Sequence, residues 1–147
     1  MIELISRAVI MSSRHLLCVR TKGADNIFLP GGHIEKGETA CQALARECRE
    51  ETGIAADPGE FLGVVEHAYT HKQETVQEIN LLFSADSDML CHDMPVSAAE
   101  PHLEFMWLHC SEKVLRSRNL QPWILQKHIP VYAESGEFFP YLSTLPH

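Results

Sequence analysis

The chain has 147 residues, of which 45% are hydrophobic and 22% are charged, and its formal net charge is −8. This composition is too apolar for a disordered chain and the length suits one core, so we predict a single domain over 1–147. The negative charge argues against long nucleic acid as a partner, because such binding depends on lysine and arginine. No apolar run approaches the length of a membrane-spanning helix and the amino terminus lacks the pattern of a secretory signal, so we expect a cytoplasmic protein with no membrane partner.

The amino-terminal part of the chain is predicted to contain three strands. Residues 2–11 and 16–19 are rich in Ile, Leu and Val and predict a hairpin, with 12–14 as its turn. After a polar loop, the apolar segment 27–29 predicts a further strand. We expect this strand to end at Pro30-Gly31-Gly32, because proline cannot donate to a sheet ladder and glycine allows close backbone approaches.

The clearest helix signature covers 39–52. Thr39 and Gln42 form a capping box, and Gly53 stands where a left-handed residue ends a helix. The apolar stripe predicted to pack on a sheet consists of Cys41, Leu44, Ala45 and Cys48.

The second half of the chain is predicted to alternate between strands and short helices. The elements, in chain order, are strands at 61–71, 75–85 and 105–110 and helices at 111–116 and 122–128. A turn covers 71–74 and a loop covers 86–101. For the end of the chain, 134–147, the sequence leaves open whether it packs on the domain or forms a loosely packed tail. Strands interspersed with helices indicate an α/β or α+β sheet covered on both faces.

The cysteines and histidines form no metal-binding pattern. No CxxC pair occurs, and the five cysteines are predicted to be reduced core residues: Cys18, Cys41, Cys48, Cys91 and Cys110. His67 and His71 have HxxxH spacing, but they lie in a predicted strand, where four residues span about 13 Å. A zinc site at this pair is therefore disfavoured, since only a helix would bring the two side chains together.

Three acidic side chains fall close together on the predicted helix. Glu47 and Glu51 are one turn apart, and Glu50 is next to Glu51 around the helix. Like charges at the margin of a buried face repel by about 1 to 4 kcal/mol per pair, and Arg46 alone cannot neutralise all three. A magnesium ion would, because Mg²⁺ prefers hard oxygen ligands and is commonly completed by substrate phosphates. The residues indicate a metal-assisted site for phosphoryl or pyrophosphoryl chemistry, and a solvated acidic face is the alternative interpretation.

The segment from Gly32 to Ile54 resembles the complete signature of the Nudix hydrolases. The matching positions are Gly32, Glu38, Arg46, Glu47, Glu50, Glu51, Gly53 and Ile54. Cys48 departs mildly, because the family usually has a larger aliphatic residue at that position. The resemblance implies an α/β fold, the Nudix α/β/α sandwich with a mixed β-sheet between helices. It also implies hydrolysis of a nucleoside diphosphate linked to another moiety, by attack of water at phosphorus.

The resemblance also implies a role for each matched residue. The implied metal-binding set is Gly32, Glu47, Glu50 and Glu51, with Mg²⁺ as the ion and Mn²⁺ as a substitute. Arg46 is expected to orient the catalytic glutamates, and Glu38 to support them electrostatically. The general base of this family often lies outside the helix. The candidates for it here are Glu100 and Glu104, then the weaker Glu78 and Glu66, with Glu50 or Glu51 as alternatives within the helix.

The signature does not specify the substrate. His33 stands where mutator-type triphosphatases that act on oxidised guanine nucleotides often have lysine, which weakens that assignment. Asn119 lies where such enzymes place a base-reading asparagine, and helix capping is its alternative role. Phe28 and Tyr69 are candidates for stacking on a base, with strand packing as the alternative for Tyr69. We expect a small phosphorylated nucleotide as the partner, such as a (d)NTP, an ADP-sugar or a dinucleoside polyphosphate.

Two other functions stay open. One is a non-catalytic nucleotide-sensing module with the same fold, which would have no need of three crowded carboxylates. The other is an RNA 5′-end pyrophosphohydrolase, against which the acidic composition counts. The sequence is also compatible with a homodimer.

Overall fold

The computed structural model describes residues 1–139 and 141–146. Its strands are Ile2–Val9 (β1), Met11–Ser12 (β2), His15–Thr21 (β3), Gly31–His33 (β4), Asp57–His71 (β5), Glu74–Asp86 (β6), Leu103–His109 (β7) and Leu142–Ser143 (β8). Its helices are Ala40–Thr52 (α1), Glu112–Ser117 (α2) and Leu125–Ser135 (α3). A five-stranded sheet has the order β4-β1-β6-β5-β8, and a three-stranded sheet has the order β2-β3-β7. The larger sheet is mixed, because β1 runs parallel to β6 and antiparallel to β4.

The helices pack on opposite sides of the larger sheet. Helix α1 buries Leu44 and Cys48 against Ala8 and Phe83 of one face. On the other face, α2 and α3 contribute to a second apolar cluster, whose buried members include Leu115, Leu125, Ile129, Val65 and Leu82. This layering confirms the α/β/α arrangement with a mixed sheet. Among the described residues, no helix combines the length and the apolar character needed to cross a membrane.

The amino-terminal hairpin is shorter than predicted. Only Met11–Ser12 pairs with β3, and the preceding strand β1 leaves that ladder to pair with β6 and β4. In the predicted strand 27–29, only isolated bridges form, at Ile27 and Phe28. The chain resumes strand geometry at Gly31–His33, where we expected it to stop. The carbonyl of Pro30 accepts from the amide of Ala8 at 2.8 Å, so proline joins the sheet edge through its acceptor although it has no donor.

Helix α1 has the predicted ends, and its buried face includes the predicted Leu44 and Cys48 but is otherwise shifted around the helix. Both bonds of the Thr39–Gln42 capping box are present, and Gly53 has φ of 74°. Cys41 is exposed, whereas Ala43 and Glu51 are buried. The side of α1 that faces the sheet is set by two contacts that hold the helix there. Ser6 donates to the carbonyl of Ala40, and the amide of Gly31 donates to Glu51.

The cysteines are all free, but they are not all core residues. Cys18 and Cys48 are buried, and burial raises the pKa of each thiol to about 12. Cys91 and Cys110 are half-buried, and Cys41 is exposed, so the core prediction is wrong for Cys41.

The carboxyl-terminal half follows the predicted order with shifted boundaries. Strands β5 and β6 are joined at Lys72 and Gln73, whose φ angles are 50° and 66°. Strand β7 begins at Leu103 and α3 begins at Leu125, two residues before and three residues after the predicted starts. Helix α2 lies in the predicted place and is capped by the Ser111 side chain.

The described part of 134–147 contains residues that pack on the larger sheet. Phe139 and Leu142 are buried, and β8 pairs with β5. Gly63 of β5 makes room for this packing, because a Cβ there would lie 2.8 Å from Cβ of Phe139. Pro140 and His147 lie outside the described residues.

Candidate active site

Two glutamates of α1 lie directly on the backbone of β4. The Glu51 side chain is almost fully buried, and its Oε1 accepts from the amide of Gly31 at 3.0 Å. Glu47 lies against Gly32, where an added Cβ would be 2.5 Å from Cδ of Glu47. Because Gly32 has no side chain, the Glu47 carboxylate can lie against the strand at the edge of the sheet, while the Glu51 carboxylate is held there by the Gly31 amide.

Arg46 connects the other acidic residues of this region. It donates to Glu38 at 2.7 Å and 3.1 Å, to Glu47 at 3.0 Å and to Glu50 at 3.4 Å. It also donates to the carbonyl of His33 at 3.0 Å. The hydrogen bond to Glu38 raises the pKa of Arg46, and the same bond lowers the pKa of Glu38. The guanidinium therefore restrains the side chains of Glu47 and Glu50.

The protonation of Glu51 is strongly perturbed. Burial raises the pKa of its carboxyl to about 7, and the negative charges of Glu47 and Glu100 act in the same direction. The Gly31 amide and the charge of Arg7 oppose the shift without cancelling it. A buried carboxylate with acidic neighbours is stabilised by any cation that it can bind.

The candidate general bases lie in different places. The amide of Ala99 donates to the carbonyl of Glu51 at 2.7 Å, so the segment containing Glu100 packs against the end of α1. Glu104 lies on β7 in the smaller sheet and forms an ion pair with Arg20 of β3. Two further candidates, Glu66 and Glu78, lie on the five-stranded sheet, where Glu66 binds the Tyr141 hydroxyl and Glu78 accepts from Asn80.

The donor set at α1 fits magnesium. In residues 1–139 and 141–146, no three His, Cys, Asp or Glu side chains are arranged to hold a metal ion by themselves. Mg²⁺ does not need such a group, because it usually retains waters and takes one or two carboxylates plus substrate phosphates. Glu47 and Glu51 supply two carboxylates, and the glycine backbone of β4 lies beside them. Glu50 is half exposed and forms an ion pair with Arg46, so its carboxylate is oriented by Arg46 and not by the backbone of β4.

A cleft of about 540 Å³ adjoins this helix–strand contact. Its lining residues are Arg7, Asn26, Phe28, His67, Tyr69, His71, Glu78, Asn119 and Gln121. Three of the predicted substrate-binding residues, Phe28, Tyr69 and Asn119, thus share one cleft. The fourth, His33, lies outside the cleft lining and faces Glu3, with 3.2 Å between Nε2 and Oε2.

The alternative role considered for Asn119 does not match the structure, whereas the alternative for Tyr69 does, because Tyr69 lies on β5 opposite Val76 and stacks on His67. Asn119 follows α2 with φ of 57° and does not cap α3, whose N-cap residue is Ile124. The Oδ1 atom of Asn119 accepts from Gln121 at 2.7 Å. Tyr69 is 40% exposed and is not a core residue. Both side chains are therefore available to a ligand in the cleft.

Sequence reasoning missed Arg7, and it did not assign Glu78, a weaker general-base candidate, or His67 to substrate binding. Arg7 and Glu78 lie on the neighbouring strands β1 and β6, and His67 on β5 is hydrogen-bonded to Thr144 at 2.8 Å. The available signal was a charged residue within an apolar strand segment, as at Arg7 between Ile5 and Ala8. A buried charge in such a segment needs a partner or a function.

The fold and the acidic helix define a member of the Nudix class. Residues 4–123 match the family model of the NUDIX domain, and the chain belongs to this family. It is 30% identical over 115 residues to phosphatase NudJ of Escherichia coli (strain K12), covering 76% of this chain and 68% of that protein. The predicted family and enzyme class, a hydrolase of the Nudix family, are confirmed.

Solved structures share the fold. The MutT protein of Methanosarcina mazei Go1 is similar with a TM-score of 0.68 and 23% identity, covering 91% of this chain and 96% of that one. The mutator MutT protein of Bacillus halodurans is similar with a TM-score of 0.67 and 18% identity, covering 96% and 88%. These similarities confirm the predicted α/β fold class.

Proposed function

We propose that this protein is a Mg²⁺-dependent pyrophosphohydrolase that cleaves a nucleoside diphosphate linked to another moiety. The observation that carries the proposal is the contact of Glu47 and Glu51 with the glycine backbone of β4, next to a cleft with aromatic and amide side chains. Membership of the Nudix family supports this chemistry, and the name of the related phosphatase NudJ agrees with action on a phosphate compound.

Each residue of the α1 region has a proposed role in the reaction. Glu47, Glu51 and the Gly32 carbonyl would hold Mg²⁺, with Glu50 as an additional ligand. Bound there, the ion would polarise the phosphate and lower the pKa of the attacking water. Arg46 holds Glu47 and Glu50 in position through the bonds described above. These roles place the scissile phosphorus beside α1.

The cleft is proposed to bind the nucleoside part of the substrate. The rings of Phe28 and Tyr69 offer stacking surfaces, and Asn119 offers an amide for a base edge. Gln121 donates to Oδ1 of Asn119, so among the described residues the amide nitrogen of Asn119 has no acceptor and can donate to a base. The expected substrates are small nucleotide derivatives, in which the phosphates extend from the cleft toward the helix.

The first test is hydrolysis of a substrate panel. We expect the protein with Mg²⁺ to release phosphate-bearing products from at least one of (d)NTPs, ADP-ribose, nucleotide sugars and dinucleoside polyphosphates. Chelation with EDTA should reduce the rate to background, and Mn²⁺ should restore it. A divalent cation is needed because the negative charge that develops on the phosphate would otherwise face negatively charged carboxylates. Product analysis by anion-exchange chromatography identifies the bond that is cleaved.

Three other outcomes of the panel experiment would contradict the proposal. Tight binding of a nucleotide that stays intact would identify a sensor module. Cleavage of a 5′-triphosphorylated RNA oligonucleotide included beside the panel, with no panel compound cleaved, would identify an RNA pyrophosphohydrolase. Equal rates with Mg²⁺ and with EDTA would remove the proposed role of the metal.

The general base is tested by a matched pair of variants. We propose that Glu100 accepts the proton of the attacking water, because its charge acts on Glu51 and its segment packs on α1. Glu100→Gln should lower kcat by about 10²- to 10⁴-fold. Glu104→Gln should leave kcat unchanged, because Glu104 is paired with Arg20 in the other sheet. A larger loss of kcat in Glu104→Gln than in Glu100→Gln would reverse the assignment, and equal wild-type rates in both would leave Glu50 or Glu51 as the base.

A further inference from the structure

Arg7 lies where the cleft meets the acidic helix. Its side chain lines the cleft, and its guanidinium carbon is 5.4 Å from the centroid of the Phe28 ring. The Nη1 atom donates to the carbonyl of Leu29 at 2.9 Å and to that of Gly31 at 3.4 Å. Gly31 in turn donates its amide to Glu51. One glycine therefore links Arg7 on the cleft side to Glu51 on the helix side.

The charge of Arg7 is not neutralised by a close partner. Within the described ranges, no carboxylate lies within 4.0 Å of the guanidinium. Burial lowers the pKa of Arg7, and the charges of Glu78, Glu51 and Glu47, which act from a longer distance, oppose this shift without cancelling it. These carboxylates therefore stabilise the positive charge of Arg7 from a distance, but none of them forms an ion pair with its guanidinium.

Part of the hydrogen-bonding capacity of Arg7 is unused. A guanidinium has five N–H donors in a planar fork, which matches the oxygens of a phosphate. Only Nη1 is engaged by the parts of the chain that the structure describes, which leaves Nη2 and Nε without a protein acceptor there. These donors are not sealed from solvent, since the only fully buried side-chain polar atom without a partner in those parts is Oδ1 of Asn80.

We propose that Arg7 binds the substrate phosphate nearest the nucleoside and also positions Glu51 through Gly31. The inference rests on the proposed function, because it assumes a nucleoside in the cleft and a scissile phosphorus beside α1. A phosphate chain that joins these two places passes the cleft boundary, where Arg7 is the lining cation that contacts β4. Phosphate binding at this point fixes the register of the substrate before the glutamates act on it.

The test compares ligands with and without a phosphate. Calorimetry in EDTA measures the dissociation constants of adenosine, AMP, guanosine and GMP for wild type, Arg7→Gln, Arg7→Lys and the control Arg116→Gln. Arg116 is an exposed residue of α2 that pairs with Glu112, outside the cleft. We expect wild type and the control to bind at least one monophosphate more tightly than its nucleoside by about 10- to 100-fold, the range of a hydrogen bond to a charged group.

The decisive quantity is the ratio of the dissociation constant of the nucleoside to that of its monophosphate. Arg7→Gln should bring this ratio close to one, with the affinity for the nucleoside unchanged. Arg7→Lys should give an intermediate ratio, because lysine keeps the charge and loses the planar fork. A merely structural role for Arg7 would weaken nucleoside and monophosphate alike and leave the ratio unchanged. If Arg7→Gln does not fold, as judged by circular dichroism, the ratio in Arg7→Lys decides the question in the same way.

The outcomes separate this inference from the proposed function. If wild type hydrolyses the panel but Arg7→Gln retains the wild-type ratio, only the inference on Arg7 is overturned. If wild type binds no monophosphate more tightly than its nucleoside, the inference also fails, whatever the hydrolysis result. If wild type hydrolyses nothing, the proposed catalysis fails, while a ratio that depends on Arg7 still supports a phosphate-binding arginine.

Discussion

Glu51→Gln is expected to lower kcat by about 10³-fold or more while the protein remains folded. Glutamine keeps an Oε1 atom that can accept from the Gly31 amide, so the contact that positions the side chain is retained. What the variant loses is the negative charge that would hold Mg²⁺ beside the phosphates. Steady-state hydrolysis of the best panel substrate, at several Mg²⁺ concentrations, measures the effect.

The same variant should behave differently in a stability experiment without metal. The pKa of Glu51 is raised to about 7 in the folded protein from an ordinary value of 4.5. A carboxyl whose pKa is higher in the folded state favours folding at low pH, and this contribution is lost as the pH rises through the folded-state value. In EDTA, wild type should therefore lose up to about 3 kcal/mol between about pH 4.5 and pH 8, and Glu51→Gln should lack this component.

A matched control separates charge at the site from charge elsewhere. Glu112→Gln removes an exposed carboxylate of α2 and should alter neither kcat nor the pH profile beyond a small surface effect. Wild-type turnover and metal dependence in Glu51→Gln would contradict the proposed metal site. A metal-free stability curve for Glu51→Gln with the same fall at neutral pH as wild type would contradict the burial of a charge at this position.

Helix α1 could be predicted from the sequence because its determinants are local. Thr39, Gln42 and Gly53 act within a few residues of the helix ends, and the spacing of Glu47 and Glu51 places both on one side at any helix orientation. The buried face was less predictable. Which side of an amphipathic helix meets the sheet depends on partners distant in sequence, here the contacts of α1 with Ser6 and Gly31.

The cleft could be predicted only in part for the same reason. The sequence indicates Phe28, Tyr69 and Asn119 only as separate residues. Their segments are brought together by the pairing of β5 with β6 and by the bridge between Ile27 and Leu120. Arg7 gave little local signal, since its role depends on the distant carbonyls of Leu29 and Gly31. Spacing in the sequence likewise does not decide between Glu100 and Glu104, because they are only four residues apart. In the structure, Glu100 lies in a segment packed against α1, whereas Glu104 lies on β7 in the smaller sheet.

Gly31→Ala should be the most destabilising of the small substitutions in the β4 region. Gly31 pairs with Arg7 across the ladder of β4 and β1, and its φ is 138°, which side chains rarely adopt. A Cβ there would lie 2.0 Å from the carbonyl oxygen of Ser6, a backbone atom that cannot move without separating the two strands. We expect a loss of about 3 to 5 kcal/mol in the free energy of unfolding, measured by urea denaturation.

The control for this prediction is Gly37→Ala. Gly37 also has a positive φ, 88°, but no atom lies within 4 Å of its ideal Cβ position. The strain of an unfavourable φ should cost this variant about 1 kcal/mol, so the difference between the two variants isolates the clash with Ser6. Equal midpoints for the two variants would show that β4 does not pair with β1 in the register described, and the Gly31 contact with Glu51 would fail with it. A folded Gly31→Ala protein without Mg²⁺-dependent hydrolysis would instead show that β4 can shift without unfolding the protein. The lost activity would then be explained by the displaced contact between Gly31 and Glu51.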